Sequence, residues 1–346
     1  MSIELRNVTK IFNKRGQGIT ALNDITLDID EGELVGILGP NGAGKTTLTK
    51  ILSTILLPTS GEVYLDNIPL KNDRKIRKII GTVFGESSGR SLYYRLSVND
   101  NLKFYATLAG VSKKETKARI ISLLKYFDLF SKKDTLVMKL SAGMKTKVAL
   151  IRALLPNPKI LLLDEFSSGL DAVSSVKAHD LLIELNNEFG TTILLTSHNF
   201  TEHEELANRL LLIDKGCLVK DCSPEKFKQI TAKKHIFVSF SVSNFHLPSF
   251  KYSIRESVGA ELSLIEKRAN LRGAFEARIE PKEFSLNESI ARLTILIVHM
   301  KGQIYSIAPH SPSLKESFLA FLSMENERKQ VEDSFPTPYL GDGYNN

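Results

Sequence analysis

The sequence predicts an α/β unit with a helical insertion, followed by a small α+β unit. Three observations carry this: short apolar runs alternate with helical periodicity, a basic helical stretch interrupts them, and after about residue 225 the texture turns Ser-rich and alternating. At 346 residues, 42% hydrophobic and 25% charged, the chain has the length of two domains and the composition of a globular protein.

Leu34 to Leu38 is a buried-strand run, after which Leu48, Ile51, Leu52 and Ile55 recur at helical spacing. The order is strand, Gly-rich turn, helix. Ile160 to Leu163 and Ile193 to Leu195 read as two further core strands. The insertion lies between them and the first helix, with Leu123, Leu124, Phe127 and Phe130 in its helical pattern. Further on, Ile236 to Phe240 alternates like a strand, and Leu286, Ile290, Leu293, Ile297 and Met300 share one helical face that Gly302 ends. Gln303 to Ala308 reads as a strand and Pro312 to Met324 as a final amphipathic helix. The expected organisation is residues 1–228 with a helical subdomain at about 88–155, an accessory unit at 229–324, and a mobile tail at 325–346.

The longest apolar run, Leu293 to Val298, is far short of the about 18 residues that suggest a membrane span. The opening MSIELRNVTK lacks the apolar core of a signal peptide, and Cys217 and Cys222 make no disulfide framework, so a reducing cytosol is the expected setting. Lys71 to Leu155 holds 19 Lys and Arg against 6 Asp and Glu, a local +13 within a net +7. Such a segment suits nucleic acid, anionic headgroups or an acidic partner; scattered among apolar residues, it equally suits solvated helix faces.

The chemistry starts at Gly39-Pro40-Asn41-Gly42-Ala43-Gly44-Lys45-Thr46-Thr47, which fits G-x-x-x-x-G-K-[ST] between a strand and a helix. In that pattern backbone N–H groups curl around phosphate oxygens, Lys45 neutralises the β and γ phosphates, and the Thr46 hydroxyl ligates Mg²⁺. Ile160 to Glu165 is an apolar strand ending in two acids: Asp164 beside the metal, Glu165 to polarise the attacking water. His198 follows a third strand and can reach the γ phosphate. A second anion site is suggested by Leu140-Ser-Ala-Gly-Met, where a helix opens with Lys145 and Lys147 instead of a carboxylate.

These motifs, in order GPNGAGKT, LSAGM, ILLLDE, SSGLD and TSH, resemble the ATP-binding cassette family over Met1 to about Lys228. The resemblance implies a P-loop NTPase cassette that hydrolyses ATP with Mg²⁺ and packs head to tail with a second cassette, a homodimer or a paralogue. Ser141 and Gly143 of LSAGM would then cap the partner's γ phosphate, Asp171 would couple the two sites, and Phe12 would stack on adenine, the alternative being a strand-end Phe in a core. One motif departs from the family: where a glutamine normally follows the strand, Gly81-Thr-Val-Phe-Gly-Glu86 offers Gly85 or Glu86, and Glu86 is assigned the glutamine's metal role.

The resemblance further implies a transporter subunit on the cytoplasmic side of the cell membrane, peripheral through a separate transmembrane permease, with no nucleic acid partner. Pro312 to Leu322 is similar to the tail of subunits serving ABC-2 type exporters, so the expectation is export. The competing readings are an importer's energising subunit and a soluble cassette acting in translation or DNA maintenance. A single phosphate loop and the lack of sustained heptads count against the latter.

Overall fold

Five-residue strands rich in leucine, isoleucine and valine form the centre of a six-stranded sheet and carry the site at their C-terminal ends. The computed structural model describes residues 1–14, 17–85, 92–231, 235–242, 246–267, 274–310 and 312–334, and the chain divides into two units, Met1–Pro224 and Glu225–Asn346.

The first unit opens with β1 (Ile3–Lys14) and β2 (Gln17–Ile29), followed by β3 (Leu34–Leu38), α1 (Lys45–Leu52), β4 (Ser60–Leu65), β5 (Ile68–Pro69), α2 (Asp73–Ile76) and β6 (Ile80–Phe84). The insertion supplies α3 (Val98–Leu108), α4 (Lys113–Tyr126) and α5 (Ala142–Leu154). The chain then returns through β7 (Ile160–Asp164), α6 (Ala172–Phe189), β8 (Thr192–Thr196), α7 (Phe200–Leu206), β9 (Arg209–Asp214) and β10 (Cys217–Cys222). Strands β10-β9-β3-β8-β7-β6 make the main sheet, parallel except for β10, and β2-β1-β4-β5 make an antiparallel sheet.

Strands β3, β7 and β8 are buried at every residue, as a parallel sheet covered on both faces requires. Val35, Ile37, Ile160, Leu162 and Leu194 from these strands pack with Leu48, Ile51 and Leu52 of α1 in one core. Ile55, expected on that helix, lies outside it and is 58% exposed, because Ser53 caps α1 and Thr54 turns left-handed at φ 61°. Phe130 likewise falls beyond α4 and is exposed, its ring under the Lys125 ammonium, whereas Leu124 and Phe127 are buried. Serines cap the insertion's helices: Ser97 accepts from Asp100 N, Ser112 from Glu115 N, and Ser141 from Met144 N.

The second unit holds α8 (Pro224–Thr231), β11 (His235–Ser241), α9 (Leu247–Ser253), β12 (Ala260–Lys267), β13 (Ala274–Pro281), α10 (Leu286–His299), β14 (Gln303–His310) and α11 (Leu314–Ser334). Its sheet runs β12-β13-β11-β14, entirely antiparallel, in the β-α-β-β-α-β order of the split βαβ arrangement. Ile236, Val238 and Phe240 of the alternating strand face Phe250, Leu293 and Ile297 in a separate core. The last helix runs to Ser334, past the position where the polar composition suggests a tail. Among the described residues no helix is long and apolar enough to cross a membrane.

Gly36, at the middle of β3, is a point of close packing on the main sheet. A Cβ there would stand 2.4 Å from His203 Nδ1, 3.0 Å from Leu210 Cδ2 and 3.1 Å from Ala207 Cβ. Gly36→Ala is expected to destabilise the first unit by about 1–3 kcal/mol through overpacking, read as a lower denaturant midpoint at unchanged slope.

Candidate functional site

Strand β3 delivers the chain to the phosphate loop, and α1 begins at Lys45 with Gly44 as its N-cap at φ 111°. No side chain caps this end and no acid lies in its first turn. The helix N-terminus therefore presents free amides and positive dipole to an external anion. Lys45 is buried across the loop and donates to the carbonyls of Gly39 at 2.7 Å and Pro40 at 3.0 Å. Burial lowers its pKa, while the nearby Glu165 and Asp164 carboxylates oppose that shift.

The parallel register sets Asp164 of β7 beside Thr196 of β8, whose hydroxyl donates to Asp164 Oδ1. Across from them the Thr46 hydroxyl lies 3.4 Å from the same oxygen. A carboxylate and a hydroxyl converging at a phosphate loop are hard oxygen donors of the kind Mg²⁺ takes alongside nucleotide phosphates. The donor set thus fits a Mg²⁺–ATP complex.

Glu165 sits at φ 53°, left-handed for a non-glycine residue, with its N–H donating to the Thr196 carbonyl at 2.9 Å. Its Oε1 is 2.6 Å from His198 Nε2, so the two residues expected to act on the γ phosphate and its water meet directly. Glu165, His198, Ala21, Asn41, Gly42, Ala43, Gly44, Lys45, Thr46 and Thr47 line a cleft of about 330 Å³.

Other expected site residues lie elsewhere. Phe12 is 38% exposed on β1 with the Lys10 ammonium 5.1 Å from its ring centroid; it is no core residue and does not line the cleft. Ser141, Gly143 and Asp171 also stand outside the cleft, but together. Ser141 caps α5, Gly143 packs against the Gly169 carbonyl, and Lys147 Nζ is 3.5 Å from Asp171 Oδ2. Lys147 is therefore not a free cation at the helix start, and Lys145 rests over the Tyr94 ring at 5.2 Å. Asp171 caps α6 through Ser174, whose hydroxyl and N–H, aided by Lys147, hold its carboxyl down at about 2.

Glu86 lies outside the described residues. Gly85 is described, and its backbone runs so close to Glu165 that a Cβ would meet the Glu165 carbonyl oxygen at 2.2 Å. The strand end where the family carries glutamine here packs directly on the peptide of Glu165.

Sequence reasoning missed Ala21, brought to the cleft by the antiparallel sheet with no local signal, and a buried pair behind the site, Glu202 and His203. A signal for the pair existed: two adjacent titratable residues in the short helix that follows Thr196-Ser-His198. His203 Nε2 donates to the Ser197 carbonyl at 3.1 Å, leaving its Nδ1 buried without a partner.

A parallel sheet with a phosphate loop, an Asp-Glu strand end and a His strand end defines a nucleotide-hydrolysing P-loop protein. The family model described as ABC transporter matches residues 22–168. Methionine import ATP-binding protein MetN 1 of Bacillus cereus is 30% identical over 320 residues, 87% of this chain and 90% of that protein. MetN 2 of the same species is 34% identical over 252 residues, 71% of this chain and 74% of its own. Among solved structures, a dimeric post-hydrolysis state of the ATP-binding cassette MJ0796 bound to ADP and Pi is 32% identical, with TM-score 0.60 over 64% of this chain and 98% of that one. The chain belongs to the ATP-binding subunits of ABC transporters and is an ATPase.

Burial pushes the His203 imidazole down to about 4. The unfolded chain takes up that proton first, so this group's contribution is complete above about pH 6.5 and falls by roughly 3 kcal/mol as pH drops to 4. The stability advantage of the parent over His203→Gln should shrink by that amount between pH 7 and pH 4 in denaturant titrations.

Proposed function

We propose that this chain powers an importer of a small amino acid, methionine or a chemically similar one, through a separate membrane permease. The observation that carries the reading is the 30% identity to a methionine import subunit across 87% of the chain, which reaches into the second unit. The expectation of export rested mainly on Pro312 to Leu322; the relatives are import subunits and do not support it.

In this reading two copies sandwich two ATP molecules. Gly39 to Thr47 would wrap the phosphates and Lys45 would balance their charge, while Thr46 with Asp164 would hold Mg²⁺, which would supply further neutralisation of phosphate charge. Glu165 accepts the proton of the attacking water and His198 orients the γ phosphate. Ser141, Gly143 and the start of α5 complete the neighbour's site, with Asp171 beside them and Phe12 as the exposed aromatic for adenine. The protein would sit at the cytoplasmic face of the membrane, held there by its permease.

Glu165→Gln is expected to bind ATP, accumulate as a dimer in size-exclusion chromatography and lose at least about a hundredfold in turnover. Parental turnover would remove Glu165 as general base. Direction and cargo are tested by isolating the complex with its permease and following labelled methionine in proteoliposomes; ATP-driven movement of cargo away from the nucleotide side, as in an exporter, would refute the import reading.

A further inference from the structure

Behind the Glu165–His198 pair lies a buried acid to which the chemistry above assigns no task. Glu202 stands in the first turn of α7 and is 1% exposed. Its carboxylate faces three segments at once: His179 of α6, whose Nε2 is 3.7 Å from Oε1, and the hydroxyls of Ser167 and Ser197. Ser167 lies two residues after Glu165, and Ser197 immediately precedes His198. The same helix grips Ser197 again through His203. The contacts are loose, since Glu202 Oε2 and His179 Nε2 are buried without a hydrogen bond of ordinary geometry. Buried polar atoms in that condition gain from any closure that shortens their contacts. Glu165, with its left-handed backbone, keeps that conformation only where neighbours over-determine it.

We propose that Glu202 is a positioning residue for ATP hydrolysis: through Ser167 and Ser197 it holds the segments bearing Glu165 and His198 in mutual register, anchored on α6 by His179. The inference rests on Glu165 and His198 being the acting pair. Because none of these contacts involves the phosphate loop or its helix, loss of Glu202 should spare nucleotide binding and slow the chemical step.

The test uses the full chain. Glu202→Gln, nearly isosteric and so expected to fold, should lower kcat at least about tenfold while KM for ATP and the affinity for a fluorescent ATP analogue stay within about threefold. Ser167→Ala should cost much less in kcat on the Glu202→Gln background than on the parent, as coupled residues do. A crystal structure of Glu202→Gln should show the Glu165–His198 contact lengthened or lost. The proposal is overturned by parental kcat in Glu202→Gln, by full additivity with Ser167→Ala, by an unchanged Glu165–His198 contact, or by kcat, affinity and melting temperature falling together. Glu165→Gln run in parallel separates the two claims. If it is inactive while Glu202→Gln is parental, only the positioning role fails; if it is fully active, the reading of the site itself fails.

Discussion

The parallel pairing of β7 on β8, which sets Asp164 level with Thr196, is the contact from which the rest of the site takes its geometry. Because β3 pairs with β8 in the same sense, Ile37 is level with Thr196, and the phosphate loop leaves the sheet at the height where the two acids and the histidine arrive. A one-residue slip would turn Asp164 to the opposite face and separate it from the Thr46 hydroxyl. The register is pinned by burial: β3, β7 and β8 are buried at every residue, and a slip of β7 would draw Lys159 or Glu165 into the buried run.

The same chain presents two surfaces of unequal chemistry. One has an uncapped helix end, a buried lysine and the Glu165–His198 pair, suited to a polyanion and a water. The other gathers Ser141, Gly143 and Asp171 around α5 and the turn before α6, tied together by the Lys147–Asp171 pair. The two stand apart on the chain, and a similar cassette, MJ0796, is solved as a dimer bound to ADP and Pi.

The second unit carries its own apolar core, built from alternating strand residues against two amphipathic helices, and so has the makings of an independent module. The match to the MetN 1 relative covers 87% of the chain and so reaches into this unit.

What the sequence determined by itself was whatever is local and periodic. Gly39 to Thr47 between a strand and a helix, the acids closing Ile160 to Glu165, and the alternation of Ile236 to Phe240 each follow from backbone chemistry or burial within a few residues. Element ends were legible only where a cap spoke for them: Ser141 did, whereas the left-handed turn at Thr54 that leaves Ile55 exposed did not. Only the tertiary structure decided the long-range meetings. It placed Ala21 in the cleft, the Gly85 backbone on the Glu165 peptide, Lys147 on Asp171, and Glu202 behind two strand ends. Those contacts join residues far apart along the chain, and their free energy comes from how buried polar groups find partners once the sheet has formed, which no local pattern encodes.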